Sequence, residues 1–200
     1  MIAGDARGLV VGERLALTLV GHRPYVRALD ILALCETRFP DFRRCELTFR
    51  RPLQPNLEVE ASRSAHTAAT VTLLLDAASP LTVFLANRGV EPHRRVPEPA
   101  VCWHWLVRRA PNDQSYLSAG GAADYRKLEA VFARFQSTTG QRYAVRTLRL
   151  TRARRAPVEV LRVRRRLEGG SPITRFRLTR NGSPWCEIEA VPAGDVPFSD

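Results

Sequence analysis

Residues 25–39 of the chain read YVRALDILALCETRF, and this segment decides the fold. Its apolar residues cover more than one face of a helix, which is typical of a helix largely surrounded by protein. Pro24 can open this helix, because the N–H group that proline lacks has no partner in a first helical turn. Pro40 ends it. The segment therefore predicts a buried central helix.

Strand-like segments flank this helix in the sequence. Before it, residues 13–20 alternate between polar and apolar, which is the pattern of a strand with one face in water. After it come four short segments of β-branched or alternating residues, separated by turn-forming residues. They are residues 44–50, 57–61, 69–75 and 81–86. We expect antiparallel strands that wrap around the helix.

The same order of elements is predicted a second time. Residues 91–99 are rich in proline and charge and predict a surface connector, so we divide the chain into a first half, 1–92, and a second half, 93–200. The second half predicts a strand, a polar loop, a helix and four strands, at residues 101–107, 111–121, 122–136, 143–150, 158–163, 173–178 and 185–190. The dipeptide Asn181-Gly182 predicts a hairpin turn between the last two strands. Internal duplication explains this repetition best.

Composition narrows the class of protein. With 200 residues, of which 44% are apolar, the chain can bury a substantial core. Its apolar runs are far shorter than the roughly 20 residues that a membrane-spanning helix needs, and its first residues do not resemble a secretory signal. We therefore expect no membrane span and a cytoplasmic location. The four cysteines lack zinc-ligand spacing, so we expect structural thiols, with neither metal nor cofactor.

The net charge of +11 comes almost entirely from arginine, since Lys127 is the only lysine. A basic protein attracts polyanions without specificity, so charge alone leaves nucleic acids, acidic carrier proteins and phosphorylated cofactors as possible partners. Arginine is densest in residues 146–166, where no aromatic residue is interleaved as a base-stacking surface would require. We expect no specific binding of nucleic acid.

The motif GHRP at residues 21–24, with Glu36 fourteen positions after His22, resembles the active-site signature of the hotdog-fold 3-hydroxyacyl-acyl carrier protein dehydratases. That family places GHxP before its central helix and a glutamate at this distance inside the helix. Residues 49–55, FRRPLQP, are similar to the family's F-R-x-P-x-x-P element. The resemblance covers roughly residues 15–90 and implies an α+β double hotdog, with two long central helices each wrapped by an antiparallel sheet.

The resemblance also implies a chemistry. His22 would remove the α-proton of a thioester-bound 3-hydroxyacyl chain, and a carboxylate would protonate the departing hydroxyl. Backbone N–H groups at the start of the helix would hold the thioester oxygen as it gains charge. Gly21 would allow the substrate to approach the backbone closely, and Pro24 would shape the same entrance.

The carboxylate partner of His22 is expected from the second helix. In the dehydratase family the histidine of one hotdog meets an acid from the helix of its neighbour. The second helix contains Asp124 and Glu129, and residues 128–130, LEA, resemble the sequence around the family's acid, so Glu129 is preferred as the catalytic acid and Asp124 is expected to bind the substrate together with Gly21 and Pro24. Residues 120–122, GGA, supply no histidine to pair with Glu36, so at most one complete site is expected per chain.

Ordinary structural roles stay open for these residues. A histidine that precedes a helix often caps it, and helical glutamates such as Glu36 and Glu129 often face water. The alternatives to dehydration are thioester hydrolysis on the same fold, with a carboxylate that activates water, and a non-catalytic partner subunit that binds acyl chains or carriers.

The implied partner is an acyl carrier protein or a coenzyme A thioester, in a protein that can be a homo- or hetero-oligomer. Four arginines from the dense basic region are the predicted carrier-docking residues, because guanidinium groups form charge-assisted bonds with carboxylates and phosphates. They are Arg154, Arg155, Arg164 and Arg165.

Overall fold

The computed structural model describes residues 8–21, 23–75, 79–89, 94–97, 106–110, 113–118, 124–140, 142–152, 159–167 and 173–193. In chain order its elements are β1 Arg14–Ala16, β2 Leu19–Val20, α1 Ala28–Arg38, β3 Arg44–Phe49, β4 Asn56–Glu60, β5 Thr67–Leu74, β6 Leu81–Asn87, β7 Arg95–Val96, β8 Leu106–Ala110, β9 Asp113–Ser118, α2 Asp124–Thr139, β10 Tyr143–Thr151, β11 Glu159–Leu167, β12 Thr174–Arg180 and β13 Ser183–Pro192. Among the described residues, strands precede each helix and four strands follow it.

Eleven of the described strands form one continuous antiparallel sheet, in the order β1-β4-β6-β5-β3-β10-β13-β12-β11-β9-β8. The first half supplies one end of this sheet and the second half the other. Strands β3 and β10 join them, with Leu47 directly opposite Leu148. The two remaining described strands, β2 and β7, form a short parallel pair.

The two halves differ in strand order. Moving outward from the junction, the first half runs β3, β5, β6, β4, whereas the second half runs β10, β13, β12, β11. Strands β11 to β13 therefore form a meander that returns to β10, while β4 lies beyond β6. The same order of elements along the chain has thus produced two related but different arrangements in space.

One hydrophobic core extends across both halves. On α1 the buried residues are Ala28, Leu29, Ile31, Leu32 and Cys35, a pattern that turns one broad side of the helix toward the core. Alternate residues of the central strands are fully buried and belong to the same cluster, including Leu47, Leu148 and Ile188. Burial on this scale is the main favourable contribution to folding.

Two local differences from the sequence prediction in the first half have identifiable causes. Helix α1 begins at Ala28 rather than just after Pro24, because Val26 forms a bridge with Leu53 and holds residues 25–26 outside the helix. Residues 13–20 form two short strands, since β1 pairs with β4 and β2 pairs with β7.

The predicted polar loop at residues 111–121 is wrong, because residues 113–118 form β9, which pairs with both β8 and β11. The predicted hairpin turn is confirmed. Asn181 and Gly182 have φ values of 50° and 80° between β12 and β13, as the tight hairpin turn requires. No helix in the described ranges has both the length and the apolar character needed to cross a membrane.

Candidate functional site

Each helix brings a glutamate to the N-terminus of the other helix. Glu129, in the second turn of α2, accepts a hydrogen bond from Nη1 of Arg27, the residue before α1, at 2.9 Å. Glu36, in the third turn of α1, accepts one from the backbone N–H of Asp124, the first residue of α2, at 3.1 Å. The two helices therefore lie antiparallel, and a charged cluster forms at each N-terminus.

The first cluster, at the start of α1, consists of Arg27, Asp30, Arg126 and Glu129. Arg27 caps the helix, and its backbone N–H and guanidinium group both bind Asp30, at 3.1 and 2.6 Å. Glu129 accepts from Arg27 through Oε1 and from Arg126 Nη1 through Oε2, the latter at 3.2 Å. Both oxygens of Glu129 are therefore engaged by arginine.

The second cluster, at the start of α2, consists of Glu36, Asp124, Lys127, Arg152 and Arg180. Asp124 is its centre. Oδ1 of Asp124 accepts from Arg180, and Oδ2 accepts from Nε of Arg152 at 3.3 Å. The ammonium group of Lys127 lies 3.6 Å from Oδ1. Arg180 and Lys127 are almost fully buried, at 4% and 3% side-chain exposure, so these charges are compensated by one another rather than by water.

Glu36 is the second acid of this cluster. Its side chain is 7% exposed, and Oε1 accepts from Nη2 of Arg152 and from the backbone of Asp124, both at 3.1 Å. Oε2 is buried and has no hydrogen-bond partner among the described residues. Burial and the neighbouring Asp124 carboxylate raise the pKa of Glu36, although bonds from Arg152 and from the Tyr125 backbone act in the opposite direction. A buried carboxyl group of this kind is suited to proton transfer.

Aromatic rings hold two of the guanidinium groups in place. Arg152 stacks over Phe42, with its Cζ 4.0 Å from the ring centroid, and also donates to the backbone carbonyl of Pro40. Arg180 lies over Trp185 at 4.5 Å. Such contacts restrict long arginine side chains and so fix the carboxylates that they bind.

No protein-family model and no curated protein matches the chain. Among solved structures, it resembles a putative oleoyl thioesterase from Lactobacillus plantarum, with a TM-score of 0.51, 8% identity, and coverage of 91% of this chain and 95% of that one. The TesB protein of Mycobacterium avium subspecies paratuberculosis has a TM-score of 0.49 and 12% identity, with coverage of 88% of this chain and 91% of that one. A CurJ dehydratase has a TM-score of 0.48 and 9% identity, with coverage of 88% of this chain and 85% of that one. The chain has an α+β hotdog fold. At these identities the likeness shows the fold alone.

The predicted entrance of the hotdog helix is partly described. Gly21 has a φ of 66°, its N–H donates to the carbonyl of Val96 at 2.9 Å, and its own carbonyl accepts from Arg95 at 2.6 Å. Pro24 is exposed, four residues before α1. His22 lies outside the described residues. The predicted pairing of His22 with Glu129 therefore stays a prediction.

The predicted carrier-docking arginines are only partly described as well. Arg164 is exposed on β11. Arg154, Arg155 and the side chain of Arg165 lie outside the described residues. This docking surface stays a prediction.

Sequence reasoning missed the arginines that bind the carboxylates. Arg152 lies in the arginine-dense residues 146–166 and nothing in that segment distinguishes it, but it binds Glu36 and Asp124. A usable signal did exist for Arg180, since strand alternation places it on the same face of β12 as the buried residues Phe176 and Leu178. An arginine on an inward face requires a buried acid. No comparable signal marks Arg27.

Proposed function

We propose that this hotdog chain processes acyl chains carried as thioesters. The observation that supports this most is the exchange of glutamates between the helices, because it puts an acid at each helix N-terminus, where backbone N–H groups favour a developing negative charge. We further propose that residues 1–92 and 93–200 are the two halves of a double hotdog. The repeated order of elements and the antiparallel helices support this division.

Dehydration of a 3-hydroxyacyl thioester is the first candidate reaction, at the first cluster. His22 precedes Arg27 by five residues, and Arg27 binds Glu129. The imidazole of His22 would take the α-proton. Glu129 is bound by Arg27 and Arg126 as a carboxylate, so it would first have to take up a proton, which it would then give to the hydroxyl group as the C–O bond breaks. A C=C bond forms and water leaves. Arg27 would act as a positioning residue, because it orients Glu129 toward the entrance of α1.

Hydrolysis of the thioester is the second candidate, at the second cluster. The observation that favours it is Oε2 of Glu36, a buried acceptor without a described partner that lies beside the start of α2, where the sequence has no histidine before the helix. Glu36 would take a proton from water as the water oxygen attacks the thioester carbonyl, which releases a free acid and a thiol. This reaction needs one carboxylate and does not need His22.

The two candidates are separated by following the product mass. The protein is incubated with a 3-hydroxyacyl chain on acyl carrier protein and on coenzyme A. Dehydration removes one water molecule and leaves the thioester intact, whereas hydrolysis releases the free acid. If substrate binds without either reaction at any chain length, a non-catalytic acyl-binding role replaces both candidates. If it neither binds nor reacts, the proposal is wrong.

Glu129→Gln and Glu36→Gln are a matched pair of variants for this assay, since each replaces a carboxyl group on a helix by a neutral amide of similar size. For dehydration, E129Q should lower the rate by about 10² to 10⁴, the usual worth of a positioned proton donor, while E36Q retains most of it. If the reaction is hydrolysis, E36Q should lose most of the activity and E129Q should retain most of it. Equal losses in both variants would contradict the assignment of one reaction to one cluster.

The carrier is proposed to be an acyl carrier protein or coenzyme A. Comparing the rates on the two thioesters of the same acyl chain identifies it. Charge reversal of Arg154 and Arg155 tests the predicted docking residues, with an expected rise in KM and an unchanged kcat for the carrier that uses them.

A further inference from the structure

Trp185 lies at a β-bulge in the second half of the sheet. Leu178 of β12 is directly opposite Cys186 of β13, but the next residue, Thr179, is opposite Pro184, so Trp185 has no opposite residue on β12. Trp185 and Cys186 are both buried, at 2% and 4% exposure, whereas consecutive residues of a regular strand point to opposite faces. A bulge re-aims a side chain in this way. It turns the indole ring of Trp185 toward the hydrophobic core.

The indole ring lies beside the second cluster. The Cζ atom of Arg180 is 4.5 Å from the centroid of the ring, and the same guanidinium group donates a hydrogen bond to Oδ1 of Asp124. The backbone N–H of Asp124 in turn donates to Oε1 of Glu36 at 3.1 Å. Trp185 is therefore linked through Arg180 to the acid at the start of α2.

The N–H group of this indole is buried and has no hydrogen-bond partner among the described residues. A buried tryptophan N–H usually finds an acceptor, because a donor without one is unfavourable in the protein interior. A phenylalanine would fill the same position without that cost. Oε2 of Glu36 is likewise buried and without a described partner. The surroundings of the second cluster thus contain a donor and an acceptor that the contacts of the described residues do not satisfy, which is unusual in a folded protein.

We propose that the indole N–H of Trp185 binds the carbonyl oxygen of an acyl thioester at the second cluster. This inference rests on the proposed function and adds a residue that touches the substrate. The indole N–H is a donor only, so it binds an acceptor such as a carbonyl oxygen. The charge of the cluster fits an oxygen that becomes negative, since three basic side chains, Lys127, Arg152 and Arg180, accompany two carboxylates. The N-terminus of α2 adds a partial positive charge.

Trp185 and Glu36 would then have separate tasks in thioester hydrolysis. The water oxygen bonds to the carbonyl carbon and its proton goes to Glu36, while the electron pair of the C=O bond moves onto the oxygen that Trp185 holds. That pair returns to the C=O bond as the C–S bond breaks, and the departing thiolate takes the proton from Glu36. The indole N–H therefore stabilises the oxygen at the moment when it carries the most charge.

A pair of ligands that differ by one oxygen tests the proposal without any turnover. Both are pantetheine derivatives with the same alkyl chain. One is a ketone, in which a methylene group separates the sulfur from the carbonyl and prevents hydrolysis, and the other is a thioether that lacks the carbonyl. Calorimetry gives the affinity of each for the wild type and for Trp185→Phe, which removes the N–H group but keeps an aromatic ring beneath Arg180.

W185F should bind the ketone about tenfold more weakly than the wild type and bind the thioether equally well. Its melting temperature without ligand should stay the same or rise, because no unsatisfied N–H remains buried. The wild type offers a second measurement that needs no variant. Of the three indole N–H signals in its ¹⁵N NMR spectrum, one should shift with the ketone and not with the thioether.

An unchanged affinity of W185F for the ketone, or an indole spectrum that responds equally to both ligands, would overturn the inference. Equal losses for the ketone and the thioether would overturn it in favour of a packing role for the ring. In these cases the wild type still binds both ligands, so the proposed function is unaffected. If the wild type binds neither ligand, the proposed function fails and the inference fails with it.

Discussion

Glu129 and Glu36 hold comparable positions on antiparallel helices, yet their surroundings differ. Both oxygens of Glu129 are bound by arginines, one of which, Arg126, is 54% exposed. The side chains of Glu129 and Glu36 are buried to a similar degree, but Glu36 uses only Oε1 among described partners. The same geometry, a glutamate at the N-terminus of the opposite helix, therefore occurs once with both carboxylate oxygens bound by arginine and once with one oxygen that has no described partner.

The largest expected difference between the clusters concerns their aspartates. Asp124→Asn removes the charge that compensates the buried Arg180 and Lys127, so we expect a loss of about 3 to 5 kcal/mol in the free energy of unfolding. Asp30→Asn weakens a half-buried pair and a helix cap and should cost about 1 kcal/mol. Urea unfolding of D124N, D30N and the wild type gives the free energies of unfolding to compare. Similar losses would show that burial does not distinguish the clusters.

The glutamates should differ in the sign of their effect. At neutral pH, Glu36→Gln removes a charge that its buried site disfavours, so the protein should become more stable. Glu129→Gln weakens two salt bridges and should lose about 1 kcal/mol. Stability gained by removing a side chain is expected where that side chain serves function rather than folding. Melting temperatures at pH 7 show whether E36Q stabilises the protein and E129Q destabilises it. A lower melting temperature for E36Q would contradict a functional rather than a structural role for Glu36.

The effect of Glu36 should also depend on pH. Because its pKa is raised in the folded state, the folded protein keeps a proton that the unfolded chain releases above about pH 4.5. Wild-type stability therefore falls as the pH rises from 4.5 to the raised pKa, while E36Q lacks this contribution. The difference in melting temperature between E36Q and wild type should grow over that range and then level off. A difference that is constant with pH would exclude a raised pKa.

The smallest expected effect is at the exposed edge of the first cluster. Arg126→Ala removes one bond to Glu129 from a side chain that is mostly in water, so it should change stability by less than about 0.5 kcal/mol. Arg27→Ala removes the other bond, together with the pairing to Asp30, and should cost more, about 1 to 2 kcal/mol. Chemical denaturation gives the free energies of unfolding of R126A and R27A. If Arg126 mattered more, Arg27 would not be the residue that positions Glu129.

Much of the fold was predictable from local pattern. The apolar residues of segment 25–39 predicted a buried helix, and Asn181-Gly182 predicted the β12–β13 hairpin, because both signals are contained in a few consecutive residues. Strand β9 was missed because DQSYLS has the composition of a loop, and only its pairing with β8 and β11 makes it a strand. The different strand orders of the halves also depend on long-range pairing, which local pattern does not encode.

The candidate site was predictable only in part. The resemblance to dehydratases predicted Glu36 and Glu129 as site residues and an acid from the neighbouring helix. Each glutamate does lie at the N-terminus of the other helix. Arg27, which binds Glu129, and Arg152, which binds Glu36, are far from these glutamates in sequence. Arg27 and Glu129 are 102 residues apart, so nothing local to either residue indicates the pair.

The most direct test of the account is whether His22 and Glu129 act as one unit. The rate of water loss from a 3-hydroxyacyl thioester is measured for His22→Ala, Glu129→Gln and the double variant. Residues that act in one proton-transfer step are strongly non-additive, so the double variant should be about as slow as the slower single variant. Losses that multiply in the double variant, or a Glu129→Gln enzyme as fast as wild type, would contradict the central claim.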